Sequence, residues 1–202
     1  MPEIPVYLEE GAKCVFAVAL EWPGWCRRAP DASQAVETLD SYRDRYARIV
    51  GKGPGRGGFV VVATLQGNAT TDFGAPTAMG PWDAEPMTRS RLDRHLRILG
   101  LNWEYFDAVV RGAPESLRKG PRGGGRDRDA VRDHVREAER AYGGKVGARV
   151  PPRTPWPDQR SLLRAALAAQ SETNAWPASY AIRRIAWHVA DHAWEIEDRS
   201  AP

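Results

Sequence analysis

The chain has 202 residues, 42% of them hydrophobic and 27% charged, with a formal net charge of +3. That length can bury one good core or two small ones, and the balance is that of an ordinary globular protein. No apolar run approaches the 18 or so residues that a membrane-crossing helix needs. The basic residues are interleaved with acids, as in Arg126-Asp127-Arg128-Asp129, so no one-sign stripe marks a nucleic-acid surface.

The opening residues, Met1-Pro2-Glu3-Ile4-Pro5, lack the basic segment that begins a secretory signal. Two cysteines, Cys14 and Cys26, make no disulfide framework, so the expected setting is cytoplasmic with reduced thiols. Strand formers fill Val6-Tyr7-Leu8 and residues 14–20. Asp31 or Ser33 can cap a single helix over 32–50, whose inner face would be Ala35, Val36, Leu39, Tyr42, Tyr46 and Ile49. Glycines from Gly51 to Gly58 end it. The run 59–65, Phe-Val-Val-Val-Ala-Thr-Leu, then reads as a central strand. The expected order is β-β-α-β over residues 1–70. Cys26, followed by Arg27 and Arg28, would be an activated thiol if exposed, but a cysteine here is more often simply part of the packing.

Residues 71–86 show no periodicity and read as an ordered linker able to pack on one of the two domains. Beyond it, in residues 87–202, four amphipathic helices with breaks between them predict a four-helix bundle, making the fold class α+β. The first spans about 88–110, with Leu92, Leu96, Leu99, Trp103, Phe106 and Val110 inward. The glycine-rich stretch 120–127 follows. Its Gly123-Gly124-Gly125 lacks the preceding strand, the Lys and the Ser/Thr of a phosphate loop, so it reads as a flexible hinge. The second helix covers about 129–142. Asp158 can cap a short third helix, and the last begins after Pro177.

The chemistry concentrates in the histidines. His188 and His192 stand four residues apart, which places them on one face of a helix about 6 Å apart in rise. Both fall within the apolar stripe Ile182, Ile185, Val189 and Ile196, and His134 lies on the stripe Val131, Val135, Ala138 and Tyr142. A single histidine on an apolar face is ordinarily a satisfied core residue. Three of them on buried-looking stripes are costly if unpaired, whereas three neutral imidazoles can hold one divalent ion and leave positions open. Zinc, nickel, iron and manganese all suit such a set. Glu195, three residues after His192, is the candidate to support a ligand from behind. Trp187 and Trp194, seven apart, share a face and read as packing residues. His95, flanked by Arg94 and Arg97, reads as a boundary or surface residue.

The phrase Trp187-His188-Val189-Ala190-Asp191-His192-Ala193-Trp194-Glu195, with His134-Val135-Arg136-Glu137-Ala138-Glu139 before it, resembles the DinB/YfiT-like superfamily. Mycothiol-dependent maleylpyruvate isomerases and bacillithiol transferases are among its members. The resemblance covers about residues 88–199 and implies a four-helix bundle holding a divalent metal through His134, His188 and His192. It implies a thiol-dependent S-transferase or isomerase, with a low-molecular-weight thiol as cosubstrate and pairing into a homodimer. The separation of His134 and His188 is shorter than is usual in the superfamily. A weaker likeness, carried by the strand 16–20, Glu21-Trp22-Pro23-Gly24-Trp25-Cys26 and the helix start Asp31-Ala32-Ser33-Gln34-Ala35, resembles a HicB-like domain. The alternative to an enzyme is a non-catalytic metal- or small-molecule-binding protein whose HicB-like domain mediates association.

Overall fold

In the computed structural model, which describes residues 2–119 and 125–200, the chain divides into two compact units, Met1–Glu85 and Pro86–Pro202. The fold class is α+β. Among the described residues no helix is long and apolar enough to cross a membrane.

The first unit is a four-stranded sheet with strand order β3-β2-β1-β4. Strands β1 (Ile4–Glu10) and β2 (Val15–Ala19) pair antiparallel, and β2 pairs antiparallel with β3 (Cys26–Ala29). Helices α1 (Ala32–Ser41) and α2 (Arg43–Val50) then carry the chain to β4 (Phe59–Gln66), which lies parallel to β1. The return after two helices makes that parallel pairing possible, since a hairpin cannot join parallel strands. Asp31 caps α1 as the sequence suggests, accepting from the Gln34 N–H at 2.9 Å.

Three features of this unit depart from the sequence reading. Strand β3 was not expected: Cys-Arg-Arg-Ala has no alternating apolar pattern, and the partner strand β2 supplies the edge that makes it a strand. The expected helix over 32–50 breaks at Tyr42 (φ −91, ψ 2). There the Trp25 indole N–H donates to the Leu39 carbonyl at 2.9 Å, competing for the oxygen that the helix ladder would use four residues on. The break lets Leu39 of α1 and Tyr46 of α2 both bury fully, with Tyr46 stacked on Trp25 at 5.4 Å and donating to the Pro23 carbonyl at 2.9 Å. Strand β4 is an edge strand rather than a central one, and Val60, Val61 and Val62 are exposed. Its apolar run is compatible with either position, and sequence alone does not say which strands flank it.

The stretch read as an ordered linker, residues 71–86, is organised from within the first unit. Residues 71–85 belong to the first unit, with a short helix α3 (Ala69–Phe73) and a 3-10 turn (Pro81–Asp83). The fully buried carboxylate of Glu9 organises them. It accepts from the Thr71 hydroxyl at 2.6 Å and from the N–H groups of Thr77 and Ala78 at 2.8 and 2.9 Å. A buried carboxylate is tolerable only with such donors, so Glu9 pins an otherwise patternless stretch. Cys26 is buried in β3, and the Cys14 thiol donates to the Thr71 carbonyl, with burial raising its pKa.

The second unit is a bundle of α4 (Arg89–Gly112), α5 (Arg128–Lys145), α6 (Trp156–Ala169) and α7 (Ala178–Ser200). Its core joins Leu96, Leu99 and Phe106 of α4, Val131 and Val135 of α5, Leu163 and Leu167 of α6, and Ile182, Ile185, Val189 and Ile196 of α7. Helix α6 starts at Trp156, with Pro157 and Asp158 in its first turn, so Asp158 is a first-turn acid rather than the cap. His95, expected near the surface, is fully buried on α4. Its neighbours Leu92, Leu96, Ile98 and Leu99 are buried as well, so the inward face of α4 is wider than the arginine-flanked sequence suggests. Gly123 and Gly124 of the expected hinge lie outside the described residues.

A buried ionic knot ties three of the helices. Glu139 of α5 accepts from Arg160 Nε at 3.1 Å and from the Trp156 indole N–H at 2.6 Å, while Arg160 Nη1 reaches both oxygens of Asp107 on α4 at 2.9 Å. Trp156 also lies under the Arg160 guanidinium, 4.1 Å from its ring centroid. This knot holds α5, and hence His134, in place against α4 and α6.

Candidate metal centre

His134 sits on α5 one turn after Val131, whose side chain is buried, so the core directs the imidazole toward the facing helix. His188 and His192 occupy successive turns of α7, the helix buried on nearly every side. Two helices packed side by side therefore present three rings to one spot, as the stripes predict.

The Nε2 atoms of His134 and His188 are 3.2 Å apart, across 54 residues of sequence. The ring centroids of His134 lie 5.1 Å from His188 and 5.0 Å from His192, and those of His188 and His192 are 4.6 Å apart. One nitrogen from each ring belongs to a set whose members all lie within 4.8 Å of one another. Ligands about 2.1 Å from a common ion are at most about 4.2 Å apart, so small ring rotations bring the whole set to ligating distance. His95, buried elsewhere on α4, is not a member of the cluster.

The electrostatics suit ligation. Burial holds the His188 imidazole well below its ordinary pKa, reinforced by His192, His134, Arg184 and Arg126. Burial is also the main cause that lowers His134, followed by Arg126 and His192, with Glu195 opposing. Both rings are thus neutral near pH 7, the state that keeps a lone pair for a metal. The sites of greatest desolvation also carry an unmet demand: His188 Nδ1 is buried without a hydrogen-bond partner.

Glu195, one turn beyond His192, stands where the sequence placed it. His192 Nδ1 and Glu195 Oε2 are 2.7 Å apart, and Glu195 Oε1 accepts from Arg199 Nη1 at 2.7 Å. The hydrogen bond to His192 is the chief cause that lowers the Glu195 pKa. An ionised carboxylate accepting from Nδ1–H leaves the His192 lone pair on Nε2, orienting the ring as a ligand. Arg199 is itself fastened: its Nε donates to the Arg118 carbonyl at 2.8 Å, and Arg118 N–H donates back to the Arg199 carbonyl at 2.9 Å. Gly125 (φ +127) packs against the same guanidinium, and a Cβ there would come within 2.7 Å of Nη2.

Aromatic rings wall the cluster. Tyr142 stands edge-on to His188 at 5.7 Å, and Trp187 lies 6.1 Å away at a tilt. The Arg184 guanidinium covers Trp187 at 4.7 Å and Tyr142 at 5.6 Å. Trp187 and Trp194 are both buried, in keeping with packing roles. Sequence reasoning missed Arg184, Arg199 and Arg126. The first two had a signal, because Arg184 precedes His188 by four residues and Arg199 follows Glu195 by four. Three imidazole nitrogens, one ring backed by a carboxylate, can hold a cation, and among the described residues the ring and hydrogen-bond contacts of the cluster include no cysteine, serine or threonine.

No family model, no curated protein and no solved structure matches the chain.

Proposed function

We propose that His134, His188 and His192 hold one divalent ion and that the protein is a metal-dependent enzyme of the DinB/YfiT-like type, an S-transferase or isomerase working with a low-molecular-weight thiol. The observation that carries the reading is convergence: three imidazoles from two helices meet within 4.8 Å, and two of them are held neutral by burial. A core has no packing reason to gather three such rings, each of which displaces apolar contacts and adds polar atoms that need partners.

When bound, a divalent ion lowers the pKa of a coordinated thiol or water and acts as a Lewis acid toward a substrate oxygen. The chain's own residues set the conditions for that chemistry. His134 and His188 offer nitrogens from facing helices, and Glu195 holds the His192 ring in the tautomer that points Nε2 to the cluster. Tyr142 and Trp187 exclude water from the His188 side. With no protein nucleophile beside the cluster, the nucleophile comes from outside, which is what a thiol cosubstrate supplies. Association into a homodimer belongs to the same proposal, with the exposed edge strand β4 as its route.

Metal content is the test. Tag-free protein dialysed against zinc, nickel, manganese or iron(II) and then against buffer retains close to one equivalent of a divalent metal. His134→Ala and His188→Ala each lose most of it while keeping their far-UV circular dichroism. Retention below a tenth of an equivalent for every metal, or undiminished retention in both variants, refutes the reading.

A further inference from the structure

We propose that residues 113–119 form a clasp across the two helices that carry the three histidines, and that its closure and the loading of the metal centre reinforce each other through His192, Glu195 and Arg199. This deepens the reading just given and rests on it, since the metal is one of the two coupled partners.

The segment that leaves α4 is fastened to the open ends of both helices. The first N–H groups and last carbonyls of a helix have no partner within it. On the α5 side, the Arg128 N–H donates to the Glu115 carbonyl at 3.1 Å, and Arg128 Nη1 donates to the Ala113 carbonyl at 3.0 Å. Asp127 stands at the cap position of α5, where a carboxylate ordinarily accepts from the helix's own N–H groups. It makes no such bond; its Oδ1 accepts instead from the Leu117 N–H at 3.1 Å and from Lys119 Nζ at 3.0 Å. The segment caps the helix, and the cap residue holds the segment. Leu117 itself is buried in the bundle core. On the α7 side, the Arg118 N–H donates to the Arg199 carbonyl and Arg118 Nη2 to the Asp198 carbonyl, both at 2.9 Å, while Arg199 Nε donates to the Arg118 carbonyl at 2.8 Å. The helices joined in this way are those that bring His134 to His188 and His192.

Arg199 belongs to the clasp and to the metal centre at once. Its Nε holds the Arg118 carbonyl, and its Nη1 donates to Glu195 Oε1 at 2.7 Å. Glu195 Oε2 in turn stands 2.7 Å from His192 Nδ1. A guanidinium is a rigid planar fork, so an Arg199 placed for one of its bonds is placed for the other. With a metal on His192 Nε2 the ring is fixed and its Nδ1–H becomes a stronger donor, which fixes Glu195 and, through it, Arg199. Opening of the clasp withdraws the carbonyl that steadies Arg199, so Glu195 loses part of its support and His192 with it. Linked equilibria are reciprocal: the factor by which closure raises metal affinity is the factor by which metal favours closure.

Amide hydrogen exchange of the full chain, with and without saturating zinc, makes the test. The Leu117 and Arg118 amides report the clasp, because both are hydrogen-bonded when it is closed and free to exchange when it opens. The amides of α6, which touches neither the clasp bonds nor the histidine cluster, report general stabilisation of the bundle. Zinc is expected to slow exchange at Leu117 and Arg118 by about fivefold more than it slows α6. In Glu195→Ala saturated with zinc, which keeps the clasp bonds but breaks the link to His192, that excess falls below about twofold. Arg199→Ala speeds clasp exchange in the metal-free protein and abolishes the excess. Clasp amides that slow no more than α6, or an excess that Glu195→Ala leaves intact, overturn the inference while the metal centre stands. Failure of zinc to bind through the histidines, read separately from metal content, removes both readings together, so the two failures are distinguishable.

Discussion

Replacing Glu195 by alanine tests the support of the metal centre most directly. Its carboxylate bonds to His192 Nδ1 at 2.7 Å and takes Arg199 on its other oxygen, also at 2.7 Å. Removing an acceptor behind a ligating histidine lowers metal affinity by about 10–100-fold, which is roughly 1.4–2.7 kcal/mol of binding free energy. Arg199 acts in two opposed directions. It orients Glu195, which favours binding, and its charge repels a cation, which disfavours it. Arg199→Ala is therefore expected to weaken metal binding by only about threefold, well under the Glu195 effect. Because the orienting part of its action passes through Glu195, that part vanishes in the double variant. Glu195→Ala/Arg199→Ala should bind metal no more weakly than Glu195→Ala alone, and slightly more tightly once the repulsion is gone. Zinc competition against a chromophoric chelator measures all four proteins. The Glu195 side chain is 32% exposed, so the fold should survive its loss, and circular dichroism checks that it does. The reasoning fails if Glu195→Ala binds zinc within twofold of the parent protein, or if Arg199→Ala weakens binding equally in both backgrounds.

Two other outcomes follow from the bundle. In metal-free protein, burial depresses the pKa values of His134 and His188, so the unfolded chain takes up protons at those rings before the folded one does. The resulting stability is fully present above the ordinary imidazole value of about 6.5 and is lost as the pH falls below it toward the depressed folded values. Urea midpoints should drop between pH 7.5 and 5.5, and His188→Phe should flatten that drop; an equally steep drop in the variant contradicts it. Glu139→Leu leaves the buried Arg160 with Asp107 alone, and Asp107 is half-exposed, so the variant should lose about 3 kcal/mol in urea denaturation, the lower end of what a broken buried pair costs. A loss below about 1 kcal/mol would mean that Arg160 finds water or a new partner at no penalty.

What could be read from the sequence follows from which forces are local. The histidine stripes were legible because a helix repeats every 3.6 residues, so Val131 and Val135 declare the inward side of α5 and carry His134 with them. His188 and His192 follow by the same rule on α7, and Glu195 by its distance from His192. The elements that escaped depend on partners remote in sequence. Cys26 to Ala29 form a strand because β2 lies beside them, α1 ends where the Trp25 indole takes the Leu39 carbonyl, and Thr71, Thr77 and Ala78 are gathered by Glu9 from more than sixty residues away. His95 was misplaced for a related reason. Its flanking arginines describe the solvent side of α4, but the burial of Ile98 and His95 shows a helix enclosed over a broader arc than its leucines alone define.

The same distinction explains why the site sits where it does. Helix α7 is buried on nearly all sides, and a helix in that position is ordinarily apolar all round. This one instead carries Arg184, His188, His192, Glu195 and Arg199 at spacings of three or four residues, a polar line through an apolar helix. Each member meets the next or a facing ring: Arg184 covers the aromatics beside His188, His188 meets His134, His192 meets Glu195, and Glu195 meets Arg199. One buried polar residue in a core can be explained by chance and a nearby acceptor. Here a continuous line of five runs along the helix, four half-buried and His188 buried with its Nδ1 unpartnered, and it costs stability that an apolar residue at the His188 position would not. Natural cores retain such an expense where a ligand depends on it, and a metal ion is the ligand we propose for these three imidazoles and the carboxylate behind them.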